Sequence, residues 1–401
     1  MISKEVNIQT SRQHYLDSIR VFAMFGIFFF HNARFFDSFN DWHVKNTSTN
    51  AAASGLIAFL AQWIMPLFFL IAGAATYYAL KSKSAPQFTR ERILRLLIPF
   101  IFGMLVIVVP QAYFQAISHG ENLAGYNFFQ LYWQYFKTLP QGNTFHLWFL
   151  DYLFVFSIIA LPIFMAGKKG QSPVSRLTAY FDKPWLLMLL LISSLTLVNV
   201  FVFPGGFWGN IGAGGWNIIA YMLFFVFGYL IFANARIIES IKKYSWIMLS
   251  AGIVATVCLI VFFVDNIADP VTSFGTGKFA LAHFVQALNT WCWLFAILGL
   301  GYRYLNNNNK FLTYANEAVL PFYVLHQTVI ITIGFYVVQW NSGVGLKYLI
   351  ISTSSFVAIM LIYELLVQRI NFFRFLFGMK ANVKPAVTPV KQQTVIPSDQ
   401  L

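Results

Sequence analysis

Ten apolar stretches, each long enough to cross a lipid bilayer, restrict the fold of this chain more than any other feature. Apolar residues make up 58% of its 401 residues and charged residues only 10%. Inside lipid, a segment has to satisfy its own backbone hydrogen bonds, so the sequence predicts an all-α, polytopic bundle of about ten transmembrane helices. The stretches cover approximately residues 15–35, 54–80, 93–117, 146–166, 185–203, 213–233, 246–264, 281–301, 317–339 and 346–368.

The basic residues are concentrated on alternate connections between these stretches. Most of the 27 Lys and Arg residues lie at the termini and on the even-numbered connections. Cytoplasmic segments of membrane proteins are enriched in Lys and Arg, so both termini are predicted to be cytoplasmic. The net charge of +13 then reflects topology, and no nucleic-acid partner is expected. The odd-numbered connections and their flanks carry only Arg34, Lys45, Lys137, Lys278 and Lys347.

One transmembrane domain is predicted over residues 1–378. Residues 379–401 contain several prolines and no apolar periodicity, which predicts a disordered cytoplasmic tail. No soluble domain is expected at either end, so the membrane bundle has to carry any chemistry. Cys258 and Cys292 both fall within predicted spans and form no metal-binding signature, so no metal site is expected.

A polar stripe on the first predicted span is a candidate functional site. Arg20 and His31 are eleven residues apart, which is about three helical turns, so they share one helix face about 16 Å apart along the axis. Asp17 and Arg34 extend this stripe by three residues at either end. Ionisable groups inside a membrane are costly and usually functional. The alternative is that Arg20 and His31 only flank the span and reach towards the lipid head groups.

Two arginines, Arg92 and Arg95, stand three residues apart at the start of the third span, on one helix face. Two interpretations are open for this pair. The arginines are either cytoplasmic anchors of the helix or guanidinium groups that bind the phosphates of a nucleotide-bearing donor from the cytosol.

Other ionisable residues within or at the ends of predicted spans include three further site candidates. His146 and Asp151 enter the fourth span from the outer side, so both are candidates for the side of the site that binds the acceptor. Asp151 is also notable because a carboxylate in a membrane needs a partner. His326 is predicted near the middle of the ninth span, where Pro321 loosens the helix. The alternatives are an interfacial position for His146 and a hydrogen bond to a neighbouring hydroxyl for His326.

These motifs, in this order, resemble the membrane-bound acyltransferase family 3. The similarity extends from the first span to the ninth, and the ninth-span segment is most similar to the branch that contains glucan biosynthesis protein C. It is carried by Leu16-Asp-x-x-Arg20, the ten-residue gap before His31, Phe68-Phe-Leu-x-x-Gly73, Arg92-x-x-Arg95, His146-Leu-Trp-Phe-Leu and Pro321-Phe-Tyr-x-Leu-His326.

The resemblance implies an integral-membrane O-acyltransferase of a bacterial inner membrane. Such an enzyme moves a short acyl group, acetyl or succinyl, from a cytosolic acyl-CoA to a hydroxyl of an extracytoplasmic or lipid-linked carbohydrate. The donor acyl-CoA is then a co-substrate, no cofactor stays bound, and the other partners are the carbohydrate acceptor and membrane lipid. A homodimer is compatible with the sequence, although no feature requires one.

Carried over by position, His31 matches the essential histidine of the family and Arg20 the arginine of the same motif. Arg92 and Arg95 match its cytoplasmic arginine pair, so the three arginines are expected to bind the donor. A hydroxyl needs a base to attack a thioester at neutral pH, and an imidazole meets this need, so His31 is the predicted general base. Arg34 and His326 are candidates to stabilise the oxyanion.

The acyl-pantetheine arm of a donor could extend along the face between Arg20 and His31. Met24, Ile27 and Phe28 are expected to line this path.

The sequence departs from the family pattern at Glu317-Ala318, which replaces the usual Ser before the ninth-span motif, as in the glucan branch. No esterase-like domain follows, so a two-step relay through a soluble partner domain is not expected. Two other function classes stay open, a proton-coupled transporter and a flippase or structural partner of a glycan synthase. Against the transporter, the first and second five spans show no repeat.

Overall fold

The computed structural model describes residues 13–39, 41–123, 125–138, 144–168, 183–204, 215–263 and 270–382. All regular elements in these ranges are helices, which confirms the predicted all-α class. Residues 383–401 of the predicted tail lie outside the described ranges. In chain order the α-helices are α1 (His14–Ala33), α2 (Ala51–Ala61), α3 (Ile64–Ser82), α4 (Ala85–Arg92), α5 (Ile98–Phe102), α6 (Val108–Ser118), α7 (Phe128–Thr138), α8 (Trp148–Lys168), α9 (Pro184–Phe201), α10 (Ile218–Ala233), α11 (Ala235–Cys258), α12 (Pro270–Ser273), α13 (Gly277–Tyr304), α14 (Lys310–Val337), α15 (Val344–Ile362) and α16 (Asn371–Leu376).

Seven helical runs among the described residues are long and apolar enough to cross a membrane. The 20-residue α1 and two shorter apolar helices, α9 and α10, coincide with the remaining predicted spans. Each of the ten predicted stretches therefore contains a helix, whereas the number of crossings and the cytoplasmic termini stay predictions. The seven runs are Ala51–Ser82, Ala85–Ser118, Phe145–Gly167, Ala235–Phe263, Gly277–Tyr304, Lys310–Val337 and Val344–Val367.

The third predicted span contains two π-helical turns, at Ile93–Leu97 and Gly103–Ile107. A π-turn shifts the hydrogen-bond ladder by one residue, and such turns are common at functional sites. The Tyr135 hydroxyl of α7 donates a hydrogen bond to the Met104 carbonyl oxygen at 2.8 Å, within the second turn. This bond satisfies a main-chain acceptor where the helical ladder is irregular.

A pair of glycines lets α3 and α10 approach backbone to backbone. A Cβ at Gly73 would lie 2.0 Å from the Phe225 carbonyl oxygen, and a Cβ at Gly228 would lie 2.1 Å from the Leu70 carbonyl oxygen. Small residues at helix contacts are a common packing device in membranes. The Phe-Phe-Leu-x-x-Gly motif that ends at Gly73 therefore has a packing role in this fold.

We expect Gly73→Val to destabilise the protein by roughly 3 kcal/mol, because the added side chain separates α3 from α10. Thermal unfolding of the detergent-purified protein measures this effect. Gly55→Val is the matched control, since a Cβ at Gly55 meets nothing within 4 Å. Equal unfolding temperatures for the two variants would show that this helix crossing is wrong.

Helix α1 lies inside the bundle, packed against α2, α3, α13, α14 and α15. Its residues Ile19, Ala23 and Phe28 are buried, whereas Phe22 is 61% exposed. One face of α1 is thus open to the surroundings of the bundle, and the other faces the helices that build the site described next.

Candidate active site

A cavity of about 480 Å³ runs along the face of α1 that carries the polar stripe. Arg20, Met24 and Ile27 line it, with helix spacings of four and three, and His31 is the next residue on this face. Residues of α3, α8 and α14 form its other walls. Phe28 was expected to line the same path, but it is buried in the core and does not contact the cavity.

One end of the cavity is cationic. Arg20, Arg92 and Arg95, the three predicted donor-binding residues, all line it, so the fold brings together side chains from two separate sequence motifs. The Arg20 guanidinium forms hydrogen bonds to Asp17 on its own helix and to the side-chain oxygen of Asn316 on α14. These contacts tie the Arg20 guanidinium to α1 and α14 at the wall of the cavity.

Arg92 points into the bundle. Its Nη2 donates a hydrogen bond to Thr76 Oγ1 on α3 at 3.0 Å, and its guanidinium lies 4.5 Å from the ring centroid of Phe88. These contacts hold Arg92 at the wall of the cavity, and both interpretations of the arginine pair stay open.

Three imidazoles meet beyond the inner end of the cavity, and we call them the histidine cluster. His31 of α1 and His326 of α14 have ring centroids 5.1 Å apart, and the centroids of His146 and His326 are 5.2 Å apart. His146 and His326 are buried and His31 is partly buried. The structure therefore joins three candidates that the sequence assigned to three different spans.

Hydrogen bonds define the tautomers of two of these rings. His326 Nδ1 donates to the Tyr323 carbonyl oxygen at 2.5 Å, and His146 Nε2 donates to the Val324 carbonyl oxygen at 3.0 Å. A carbonyl only accepts, so the other nitrogen of each neutral ring carries a lone pair. His326 Nε2, His146 Nδ1 and His31 Nδ1 are buried and have no hydrogen-bond partner among the described residues. Such unsatisfied groups are rare and are available to a substrate.

Comparison with known proteins identifies the family. The family model described as an acyltransferase domain matches residues 13–364. The chain belongs to this acyltransferase family. It is 23% identical over 385 residues to the glucans biosynthesis protein C of Salmonella typhi and to that of Salmonella typhimurium strain LT2, matches that cover 94% of this chain and 97% of each relative. No solved structure matches the chain.

The family and the apolar helices together show a multi-pass membrane protein that is an acyltransferase. The resemblance inferred from the ordered motifs is confirmed, and the enzyme class is confirmed with it. Among the described residues, no group of three or more His, Cys, Asp or Glu side chains is arranged to hold a metal ion.

Tyr323 connects the cavity of the acyltransferase to the histidine cluster. Its side chain lines the cavity, its hydroxyl donates a hydrogen bond to the His146 carbonyl oxygen, and its own carbonyl oxygen accepts from His326. One residue of α14 thus fixes the position of two imidazoles relative to the cavity.

The connection between α1 and α2 completes the site, and sequence reasoning missed its contribution. Trp42 stacks on His31, with ring centroids 6.0 Å apart and an interplanar angle of 14°. The Arg34 guanidinium lies 5.9 Å from the Trp42 ring, and Arg34 Nη1 is 3.0 Å from Asp37 Oδ1. The proximity of a Trp-His pair to the end of α1 was the available signal, but a loop has no periodicity that assigns its side chains to a face.

His43 lies in the same connection within a hydrogen-bonded network of glutamines. Its Nδ1 donates to Gln115 Oε1 at 2.6 Å. Its Nε2 accepts from Gln111 Nε2 at 3.1 Å and from Gln327 Nε2 at 2.8 Å. Because α6 supplies Gln111 and Gln115 and α14 supplies Gln327, this neutral imidazole ties the loop to two helices.

Burial lowers the pKa of His43 to about 4, although the hydrogen bond to Gln115 opposes the shift. An unfolded histidine titrates near 6.5, so the unfolded chain binds a proton that the folded protein excludes between about pH 6.5 and 4. This contribution to stability is present above pH 6.5 and lost as the pH falls towards 4, a change of roughly 3 kcal/mol. His43→Gln should flatten the pH dependence of thermal unfolding in this window.

The control for this prediction is Gln339→Ala, which changes an exposed amide that donates a hydrogen bond to the Phe335 carbonyl oxygen and should keep the wild-type pH dependence. If His43→Gln lost stability with falling pH as steeply as the wild type, the assigned role of His43 would be wrong.

The two acceptor-side candidates have different environments. His146 belongs to the histidine cluster, as described above. Asp151 lies five residues later, in the first turn of α8, where its neighbours Phe149, Leu150 and Leu153 line the cavity and Asp151 does not. The structure thus places His146, but not Asp151, beside the other candidate residues.

Proposed function

We propose that this acyltransferase moves a short acyl group, acetyl or succinyl, from a cytosolic acyl-CoA to a hydroxyl of an extracytoplasmic or lipid-linked carbohydrate across a bacterial inner membrane. The observation that carries the proposal is the cavity, which joins a cationic end to the neighbourhood of three imidazoles. The carbohydrate acceptor is supported by the names of the relatives, which assign them to glucan biosynthesis.

The cationic end suits the phosphates of a CoA donor. Guanidinium groups bind phosphate through paired, charge-assisted hydrogen bonds, and Arg20, Arg92 and Arg95 present three of them to one cavity. By the predicted topology this end faces the cytosol, where acyl-CoA is made.

The spacing of residues along α1 suits the pantetheine arm. Arg20 and His31 are separated by about 16 Å along α1, and Met24 and Ile27 line the path between them. An arm held by its phosphates at Arg20 would present its thioester beside the histidine cluster. Binding the donor in this way holds its thioester next to the catalytic groups, which lowers the entropic cost of bringing them together.

His31 is the proposed general base. It takes the hydroxyl proton of the acceptor as the hydroxyl oxygen bonds to the thioester carbonyl carbon. The carbon–sulfur bond then breaks, the thiolate takes up a proton and leaves as the CoA thiol, and the acyl group stays on the carbohydrate as an ester. Trp42, stacked on His31, holds the ring in place.

The tautomer of His326 refines its role. Because the Nδ1 hydrogen of His326 is already donated to the Tyr323 carbonyl oxygen, its Nε2 atom carries a lone pair and can only accept a hydrogen bond. His326 therefore suits a group that accepts a proton from the neighbouring His31 ring when that ring becomes charged. Arg34, beside Trp42, is then the cationic candidate for the oxyanion.

Membranes that contain the protein test this function directly. Radiolabelled acetyl-CoA and succinyl-CoA are supplied in turn, with a crude glycan extract as the acceptor. We expect label in the glycan from one donor, at a rate that depends on the amount of protein. Absence of label from both donors, with folded protein and an acceptor known to be competent, would favour the transporter interpretation.

A further inference from the structure

The chain after α15 turns back beneath the cationic end of the cavity. Helix α16 is followed by Gly378, Met379 and Lys380, and all three of these residues line the cavity. We call residues 371–382 the C-terminal strap. Its last four residues, 379–382, belong to the segment that the sequence predicts to be a disordered tail, yet Asn382 forms hydrogen bonds to Asn371.

Arg374 holds the strap in place. Its side chain is buried and binds three acceptors, Glu317 Oε1 at 2.6 Å, the Lys380 carbonyl oxygen at 2.6 Å and the Gln368 carbonyl oxygen at 3.2 Å. The Met379 amide also donates to the Arg374 carbonyl oxygen at 2.7 Å. The position of the Lys380 backbone is therefore fixed by the same guanidinium that pairs with Glu317.

Gly378 allows the strap to pass close to the arginine helix. Its φ of +70° lies in the left-handed region, and a Cβ there would be 3.0 Å from the Arg95 carbonyl oxygen and 2.9 Å from Pro99 Cγ. A side chain at this position would push the strap away from Arg95. The close passage brings Lys380 to the cavity that Arg92 and Arg95 line.

The charges at this end favour a ligand with several negative groups. Lys380 is an exposed lysine that lines the cavity together with the three arginines, of which Arg20 is paired with Asp17. The carboxylate of Glu317, which lines the same cavity, is paired with Arg374. An unpaired carboxylate here would repel a phosphate, so the ion pair removes a charge that opposes anion binding.

We infer that Lys380 is a binding residue for a phosphate of the acyl donor and that Arg374 is its positioning residue. This inference rests on the proposed function, because it assigns a further contact to the same donor site. The ligand chemistry is a phosphate group, which both a CoA molecule and an anionic lipid head group could supply, and we expect CoA to be the source.

Binding of CoA to the full-length protein in nanodiscs of zwitterionic lipid tests the role of Lys380. We expect Lys380→Gln to weaken CoA binding about ten-fold, the effect of losing one charge-assisted hydrogen bond, and Lys380→Arg to keep it. Lys310→Gln, on an exposed lysine that does not line the cavity, is the matched control. Unchanged CoA affinity in Lys380→Gln would overturn the inference, whereas a wild type that binds no CoA would overturn the proposed function itself.

Steady-state kinetics give a second measurement that a general folding defect would not reproduce. Lys380→Gln should raise the KM for acyl-CoA about ten-fold at an unchanged kcat, and leave the KM for acyl-pantetheine, which lacks these phosphates, as in the wild type. An equal rise in the KM for acyl-CoA and for acyl-pantetheine would contradict a contact between Lys380 and a phosphate. In nanodiscs that also contain anionic lipid the same ten-fold change is expected, and a change seen only there would assign Lys380 to lipid instead.

The ion pair between Arg374 and Glu317 provides a test of whether Arg374 positions Lys380. Arg374→Gln leaves Glu317 unpaired at the cavity and releases Lys380, so CoA affinity should fall by more than ten-fold. Adding Glu317→Gln should restore part of this loss, because the repelling charge is gone. No recovery in the double variant would show that Glu317 and Arg374 do not act on the donor through their charges.

Discussion

His31→Ala should lower the rate of acyl transfer by about 10²- to 10⁴-fold, the usual contribution of a general base. The imidazole sits beyond the inner end of the cavity, beside His326 and beneath the stacked Trp42. Alanine removes the proton acceptor without touching the cationic end. The measurement is single-turnover transfer of label from acyl-CoA, at matched amounts of folded protein, together with CoA binding, which should be unchanged.

The control for this prediction is His283→Ala. His283 is also a buried histidine of the bundle, but its described ring contacts are with Phe279 and Gln286 on its own helix, α13. This variant should transfer label at close to the wild-type rate if it is folded. Near-normal transfer by His31→Ala would end the assignment of His31 as the base.

Ile27→Trp should lower the rate of acyl transfer by at least about 100-fold, while the affinity for CoA stays that of the wild type. Ile27 lines the cavity one helical turn before His31, so a larger side chain there blocks the acyl-pantetheine arm between the arginines and the histidine cluster. A misplaced thioester loses the advantage of positioning, which is large in such reactions. Measurements of CoA affinity and of label transfer on the same variant check that only transfer is lost.

Phe22→Trp is the control for the blocked cavity, because Phe22 is on the same helix and is 61% exposed on the opposite side of the stripe. It should keep both CoA binding and transfer. Met24→Phe gives a second, smaller obstruction in case Ile27→Trp does not fold. Full transfer by folded Ile27→Trp would mean that the donor does not reach the imidazoles through this cavity.

The parts of the site that lie within one helix could be predicted from the sequence. Arg20, Met24, Ile27 and His31 share a face because helical periodicity fixes the relation between positions of one helix. The same reasoning misplaced Phe28, since an adjacent residue points about 100° away and packs into the core. Helical periodicity thus predicted which residues share the face of the polar stripe, but not that Phe28 lies outside it.

Contacts between elements could not be predicted in this way. Nothing in the spacing of His31, His146 and His326 shows that the His326 ring comes within about 5 Å of each of the other two. Trp42 and His43 belong to a connection, where side-chain direction depends on tertiary contacts. The family resemblance supplied the expectation that His31 is central, and the fold supplied its neighbours.

The departure at Glu317 has a structural counterpart. Glu317, which the resemblance marks as a departure from the family pattern, lines the cavity and pairs with Arg374 of the C-terminal strap. The sequence showed the replacement but not its partner, which lies 57 residues later in the chain. The pairing explains how an acidic residue is tolerated at a cationic site.

The central claim, that acyl transfer crosses the membrane through this cavity, is tested most directly in sealed proteoliposomes. The radiolabelled acyl-CoA is supplied only on the side of Arg20, and the carbohydrate acceptor only on the opposite side, with protein orientation checked by protease accessibility. The account predicts label on the acceptor in wild-type vesicles and none with Ile27→Trp. Label that appears only when the donor and the acceptor share one side would contradict it.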